Sequence, residues 1–153
     1  MKYPEYLSSA RRHKQACRVL KEKLDTYAEE RENDENYKHL VISLYYLSGY
    51  IIECSLKFKI FEVCGYSTEV EIDEDECKNF GINYRKKIRV HCFHKLQNFL
   101  DSKVPDISHK SEIIEIDGLL DKWDPIVRYE DVSLNYQDVS SLYDHAASFM
   151  RKM

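Results

Sequence analysis

Residues 40–65 read LVISLYYLSGYIIECSLKFKIFEVCG, and the fold turns on this stretch. Leu40, Leu44, Leu47, Ile51, Cys54, Phe58 and Phe61 step by four and three without a miss, the spacing that keeps side chains on one face of a helix. Val41, Tyr45, Tyr46 and Ile52 widen the stripe, so the helix is expected to touch neighbours on more than one side and to be the central element. Gly65 stands where a left-handed C-terminal cap would end it. Gly49 lies inside at a propensity cost of about 1 kcal/mol relative to alanine, which predicts that another backbone passes close there. Glu53, Lys57, Lys59 and Glu62 interrupt the apolar run, so it falls short of the roughly eighteen apolar residues a membrane span needs.

The pattern continues on both sides. Upstream, Pro4 suits a first helical turn, and Leu7, Ala10, Cys17, Leu20, Leu24 and Tyr27 recur at helical spacing before polar residues from Glu29 to Asn36 loosen it. Downstream, the acidic stretch from Tyr66 to Tyr84 reads as a long loop, with a short strand possible at Val70 and Ile72. Phe93, Leu96 and Leu100 mark a short helix that Pro105 bars from continuing. Ile113, Ile116, Leu120, Trp123 and Val127 mark another, which Pro125 must kink or split. Val139, Leu142, Ala146, Phe149 and Met153 carry the spacing to the last residue. With only four glycines and three prolines, the chain lacks the turns of a many-stranded sheet protein. The expectation is an all-α fold, an up-and-down bundle of four long helices plus one or two short ones, as a single domain over residues 1–153.

A chain of 153 residues with 43% hydrophobic side chains can bury an ordinary core and excludes a large multidomain enzyme. The five cysteines are odd in number and widely spaced, and no apolar leader follows Arg11, Arg12 and Lys14, so reduced thiols in a cytoplasm are expected, with no membrane partner. A net charge of −4 does not by itself favour nucleic acid, but the distribution is uneven. Residues 1–23 are rich in base, Arg85, Lys86, Lys87, Arg89 and Lys95 form a cluster without an acid, and Glu69 to Glu76 concentrate the acid.

No glycine-rich phosphate loop and no nucleophile elbow is present. His91, Cys92, His94 and Cys77 have ligand-type side chains, but without a Cys-x-x-Cys pair or a His-x-x-x-His spacing no metal and no cofactor is expected. Cys54 and Cys64 read as core residues, and Cys92, between basic residues and two histidines, is the one with surroundings that would activate a thiol. Tyr45, Tyr46 and Tyr50 on the central helix either pack in the core or line an interface or a nucleotide-stacking pocket.

Three pieces in order resemble the HEPN superfamily of small helical domains. Glu53, Cys54, Ser55, Leu56 and Lys57 are similar to that family's Glu-x-x-Leu-Lys; His94, Lys95 and Leu96 are similar to its His-Asp-Leu, with lysine in place of the acid; Arg128 and Tyr129 follow Trp123 and Pro125 and precede a last amphipathic helix. The resemblance spans residues 6–150. It implies a bundle that commonly dimerises and, in many members, a metal-independent ribonuclease built at the dimer cleft. Other members are binding modules or work beside a nucleotidyltransferase partner.

Active members carry an arginine followed by a histidine after four to six intervening residues. A neutral imidazole can take the proton of an RNA 2′-hydroxyl, and a guanidinium can hold the phosphate. After Arg128 the permitted positions hold Ser133, Leu134 and Asn135, so the base is missing; Asn135 can hydrogen-bond a phosphate or sugar, while Glu130 and Asp131 would repel an RNA backbone. Arg85 with His91 and Arg89 with His94 have the spacing elsewhere. On one unbroken helix neither pair would converge, so catalysis there requires the helix to begin near His91 with the arginines in the preceding loop.

Three readings follow. The first, preferred, is a HEPN-like interaction module, a homodimer that binds RNA, a nucleotide or a partner protein of nucleotidyltransferase type without catalysis. Arg85, Lys86, Lys87, Arg89, Lys95, Arg128, Tyr129 and Asn135 are its contact residues. The second is a metal-independent ribonuclease of toxin or phage-defence type, with His91 or His94 as base and Arg85, Arg89 or Arg128 as phosphate clamp. The third is a structural subunit of a larger assembly. An exposed His91 or His94 beside an arginine favours the second reading, and burial of both histidines removes it.

Overall fold

The computed structural model describes residues 1–27 and 34–153. The polar stretch expected to loosen the pattern from Glu29 lies largely in residues 28–33, outside the described residues. Helix α1 runs Pro4–Leu24 with proline in its first turn, and α2 runs Glu35–Val63. Ala10 and Cys17 are small and fully buried, so α1 lies close along α2, with Cys17 Sγ 3.8 Å from Ser48 Oγ. Asp34 opens α2 by accepting the Asn36 N–H at 2.8 Å. The helix buries residues around its whole circumference, among them Leu44, Ile51, Ile52, Leu56, Ile60 and Phe61, and packs against α1 and two later helices. Although its charged residues were expected to leave it short of a membrane span, α2 is by length and composition apolar enough to cross a bilayer, and 61% of that apolar window is buried by the bundle. Gly65 ends it at φ 75°, with the Gly65 N–H on Glu62 O at 3.0 Å and the Tyr66 N–H on Phe61 O at 3.1 Å, the cap its position predicts.

Residues 66–84 depart from the loop reading. Helix α3 occupies Glu74–Asn79, a π-helical turn spans Tyr84–Ile88, and the expected strand is reduced to one antiparallel bridge between Lys2 and Glu71. Asp73 accepts the N–H groups of Asp75 and Glu76 at 2.9 Å, and Gly81 at φ 71° closes the helix. Six residues are too few to display a hydrophobic period, so the caps alone carried the signal.

Helix α4 is Phe93–Asp101 and α5 is Ile114–Lys122. Trp123 turns extended ahead of Asp124 and Pro125, and a 3₁₀ turn follows over Pro125–Tyr129. Pro125 therefore splits the expected fourth long helix into a short helix and a turn. The bundle has three long helices, α1, α2 and α6 at Tyr136–Met150. The neighbour expected at Gly49 is present, but it is the Trp123 indole rather than a backbone: a Cβ built on Gly49 would lie 1.9 Å from Nε1. The indole donates from Nε1 to Tyr46 O at 3.2 Å, stacks on Phe93 at 4.7 Å and meets Tyr50 edge-on at 5.2 Å.

The connection from α4 to α5 is tied down by Gln97 and His109. Gln97 Oε1 accepts from the His109 N–H at 3.0 Å and faces its Nδ1 at 2.7 Å, and His145 Nε2 donates to His109 O at 2.7 Å. Burial, then Lys110, lowers the His109 pKa to about 4. The folded-state value lies below that of the unfolded chain, near 6.5, so the unfolded state binds the extra proton. This contribution is complete above roughly pH 6.5 and is lost between there and pH 4, about 3 kcal/mol in all. Urea midpoints of wild type and His109→Asn should therefore converge as pH falls from 7 to 4.5; a constant gap would refute the assignment.

Candidate functional site

Glu53 and Lys57 stand one turn apart on α2, joined at 2.7 Å between Oε1 and Nζ, with side chains only 4% and 8% exposed. The Lys57 ammonium also lies 5.9 Å from the Tyr6 ring. The second carboxylate oxygen, Oε2, is 2.8 Å from His91 Nδ1, and the His91 side chain is 55% exposed. A carboxylate only accepts, so Nδ1 donates, which leaves Nε2 as the ring nitrogen not engaged by Glu53.

Local structure explains the placement of His91. The π turn ends at Ile88, whose side chain is buried; Arg89 caps the turn; and α4 starts only at Phe93, whose ring is fixed on Trp123. His91 is held between two anchored points outside any helix. The condition for the Arg-His readings is met in its first half, since α4 begins just after His91, but not in its second, since Arg85 lies within the π turn and Arg89 caps it rather than both standing in a loop. The arginines themselves are placed otherwise: Arg85 Nε donates to Glu74 Oε2 at 2.6 Å, and Arg89 is exposed. Among the described residues no hydrogen bond joins Arg85 to His91 or Arg89 to His94. His94 is exposed, pairs with the Asn98 amide at 3.0 Å, and borders a 250 Å³ hollow with His109, Asp121 and Trp123. Lys86, Lys87 and Lys95 are exposed, and none of them makes an ion pair among the described residues.

Arg128 donates to the Tyr46 hydroxyl at 2.8 Å and its guanidinium lies 4.5 Å from the Tyr129 ring, which is 76% exposed. A 480 Å³ groove beside them is shared with His39 and with the acids Glu35, Glu130 and Asp131. Asn135, read as a phosphate or sugar contact, instead caps α6: its Oδ1 accepts the Asp138 N–H at 3.0 Å.

Tyr50, expected from the sequence either to pack in the core or to line an interface or stacking pocket, links these pieces. Its ring lies 5.0 Å from Tyr46, 6.3 Å from His91 and 5.5 Å from His13. Burial, then its bond with Tyr46, raises its pKa, so it stays a neutral hydroxyl. Burial and Arg12 lower the His13 pKa, and Glu53 opposes them. Burial pushes the Cys17 and Cys54 thiols up to about 12 and Cys77 to about 11, which makes them poor nucleophiles. Among the described residues no three His, Cys, Asp or Glu side chains converge as metal ligands.

Arg12 stood out in the sequence only as part of the base-rich run of residues 1–23, and His13 carried no signal there. A buried Glu53–Lys57 pair had one, because two opposite charges four residues apart inside an apolar stripe are expected to satisfy each other.

Fold and site define an all-α helical bundle whose central helix holds a buried ion pair beneath an exposed, carboxylate-oriented histidine. The chain matches no family model, no curated protein and no solved structure.

Proposed function

We propose that the chain is a HEPN-like helical interaction module, a homodimer that binds RNA through phosphate and stacking contacts without cutting it. One observation carries this reading: Lys86, Lys87 and Arg89, on the segment that leads into His91, and Lys95, in the first turn of α4, are exposed without an acidic partner among the described residues. Arg128 stacked on exposed Tyr129 adds a platform for a base. Retention of a single-stranded RNA by purified protein tests it. Binding should weaken steeply with salt, and Lys87→Gln with Arg89→Gln should reduce the logarithmic salt slope by about 1.4. Retention with no salt dependence, or none at all, would refute it.

The second reading, a metal-independent ribonuclease, is favoured by a separate observation: Glu53 holds exposed His91 by Nδ1 and leaves Nε2 outside that contact, the nitrogen a general base would use. Cleavage of end-labelled RNA in excess chelator, run beside His91→Ala, His94→Ala and Arg128→Ala, separates the two. Cutting that survives chelation and is lost in His91→Ala, with cyclic phosphate at the product ends, would replace the binding reading.

A further inference from the structure

Three chain segments bring arginine and histidine side chains round Tyr50 of α2. Helix α1 supplies Arg12 and His13, the segment before α4 supplies His91, and the 3₁₀ turn supplies Arg128 through the Tyr46 hydroxyl of α2. The imidazoles of His13 and His91 flank the Tyr50 ring at 5.5 and 6.3 Å, and Arg128 is near enough to act electrostatically on Tyr50. Arg12 precedes His13 on α1, is exposed, donates from Nη2 to Ser9 Oγ at 2.8 Å, and acts electrostatically on Cys54, one turn beyond Tyr50. The carboxylate acting on both His13 and Tyr50 is Glu53, which is 3% exposed and matched by Lys57 at 2.7 Å. The surface above that neutralised pair thus gathers two guanidiniums and two imidazoles around Tyr50, whose hydroxyl is held by Tyr46.

Such a set suits an oxyanion with several acceptor oxygens approached from different sides. A tetrahedral phosphate has them, and arginine forks match its edges. We infer that the ring of Arg12, His13, His91 and Arg128 around Tyr50 is a binding site for a phosphate group. The phosphate belongs to an RNA strand or to a free nucleotide; the RNA source rests on the function proposed above, whereas the site does not. It gives the Glu53–Lys57 pair a role, since a pair of zero net charge orients His91 without repelling the anion.

The test uses the ring resonances of the six histidines, assigned by single His→Gln variants and followed by NMR at fixed pH while inorganic phosphate is added against chloride of equal ionic strength. The expected result is a saturable shift of His13 and His91 with a common midpoint, with His39, His94, His109 and His145 unmoved. Arg12→Gln and Arg128→Gln, both at exposed positions, should each raise that midpoint at least threefold. Single-stranded RNA and adenosine monophosphate are then added separately, and whichever moves the same two rings at lower concentration than phosphate is the source. Phosphate that leaves both rings in place, or moves all six alike, overturns the site. RNA retained while His13 and His91 stay unmoved overturns the site and leaves the RNA-binding module standing. Saturation by phosphate or nucleotide with no RNA retained supports the site and removes the module reading.

Discussion

Gly49→Ala should destabilise the protein by about 3–5 kcal/mol, the range seen when a large aromatic loses its seat in a core. A Cβ at position 49 would meet Trp123 Nε1, Cε2 and Cδ1 at 1.9, 2.0 and 2.4 Å, which is atomic overlap. A flexible side chain could swing its end away, but an indole is rigid, and this one is clamped. Its face lies on Phe93 at 7° between planes, its edge abuts Tyr50, and it is 6% exposed. Leaving the site also breaks the bond from Nε1 to Tyr46 O. Trp123 is the one tryptophan, so its fluorescence reports the site directly. Red-shifted emission in the native state and a lowered urea midpoint are expected together. Gly118→Ala is the matched control, since a Cβ there meets nothing within 4 Å; within helix α5 it should be neutral or stabilising by up to about 1 kcal/mol. A native-like midpoint and emission for Gly49→Ala would show that Trp123 does not occupy this position in solution.

How much of this was legible in the sequence depends on whether the physics was local. The α2 stripe, the Gly65 cap and the break at Pro125 are consequences of nearest turns, and each is visible as spacing or as a special residue. Helix α3 was hidden because a six-residue helix has no second turn of apolar repeats, although Asp73 and Gly81 mark its ends. Asn135 shows the same trade in reverse. It was read as a ligand contact, yet an asparagine three residues before Asp138 at the start of an apolar repeat is a capping pattern, and capping is what it does. The site was less legible because its defining contacts are long-range. Glu53 and His91 are 38 residues apart, and His13 meets Tyr50 only because Ala10 and Cys17 are small enough to bring α1 against α2. Spacing along a chain cannot state that a histidine in a linker will find a carboxylate in a helix; it can state that the carboxylate, buried four residues from a lysine, needs partners.

That need sets the second large effect. Glu53→Leu should cost about 3–5 kcal/mol, because it leaves the Lys57 ammonium buried without its carboxylate, the Tyr6 ring 5.9 Å away being no substitute for an opposite charge. Lys57→Met should cost less, since the Glu53 carboxylate keeps its hydrogen bond from His91 Nδ1. The double variant, Glu53→Leu with Lys57→Met, removes both charges and restores volume, so it should regain most of the stability lost in Glu53→Leu alone. Urea midpoints of the four proteins complete the cycle. A double variant no more stable than Glu53→Leu would mean that the pair holds the bundle through something other than mutual neutralisation. The cycle also separates folding from function: the double variant keeps a core but no longer orients His91. If it folds like the wild type while the His91 ring no longer reports phosphate, then the ion pair is there for the site and not for the bundle. An apolar pair at these two positions would have served the bundle as well, which is the physical reason to regard two buried charges on the central helix as a functional feature.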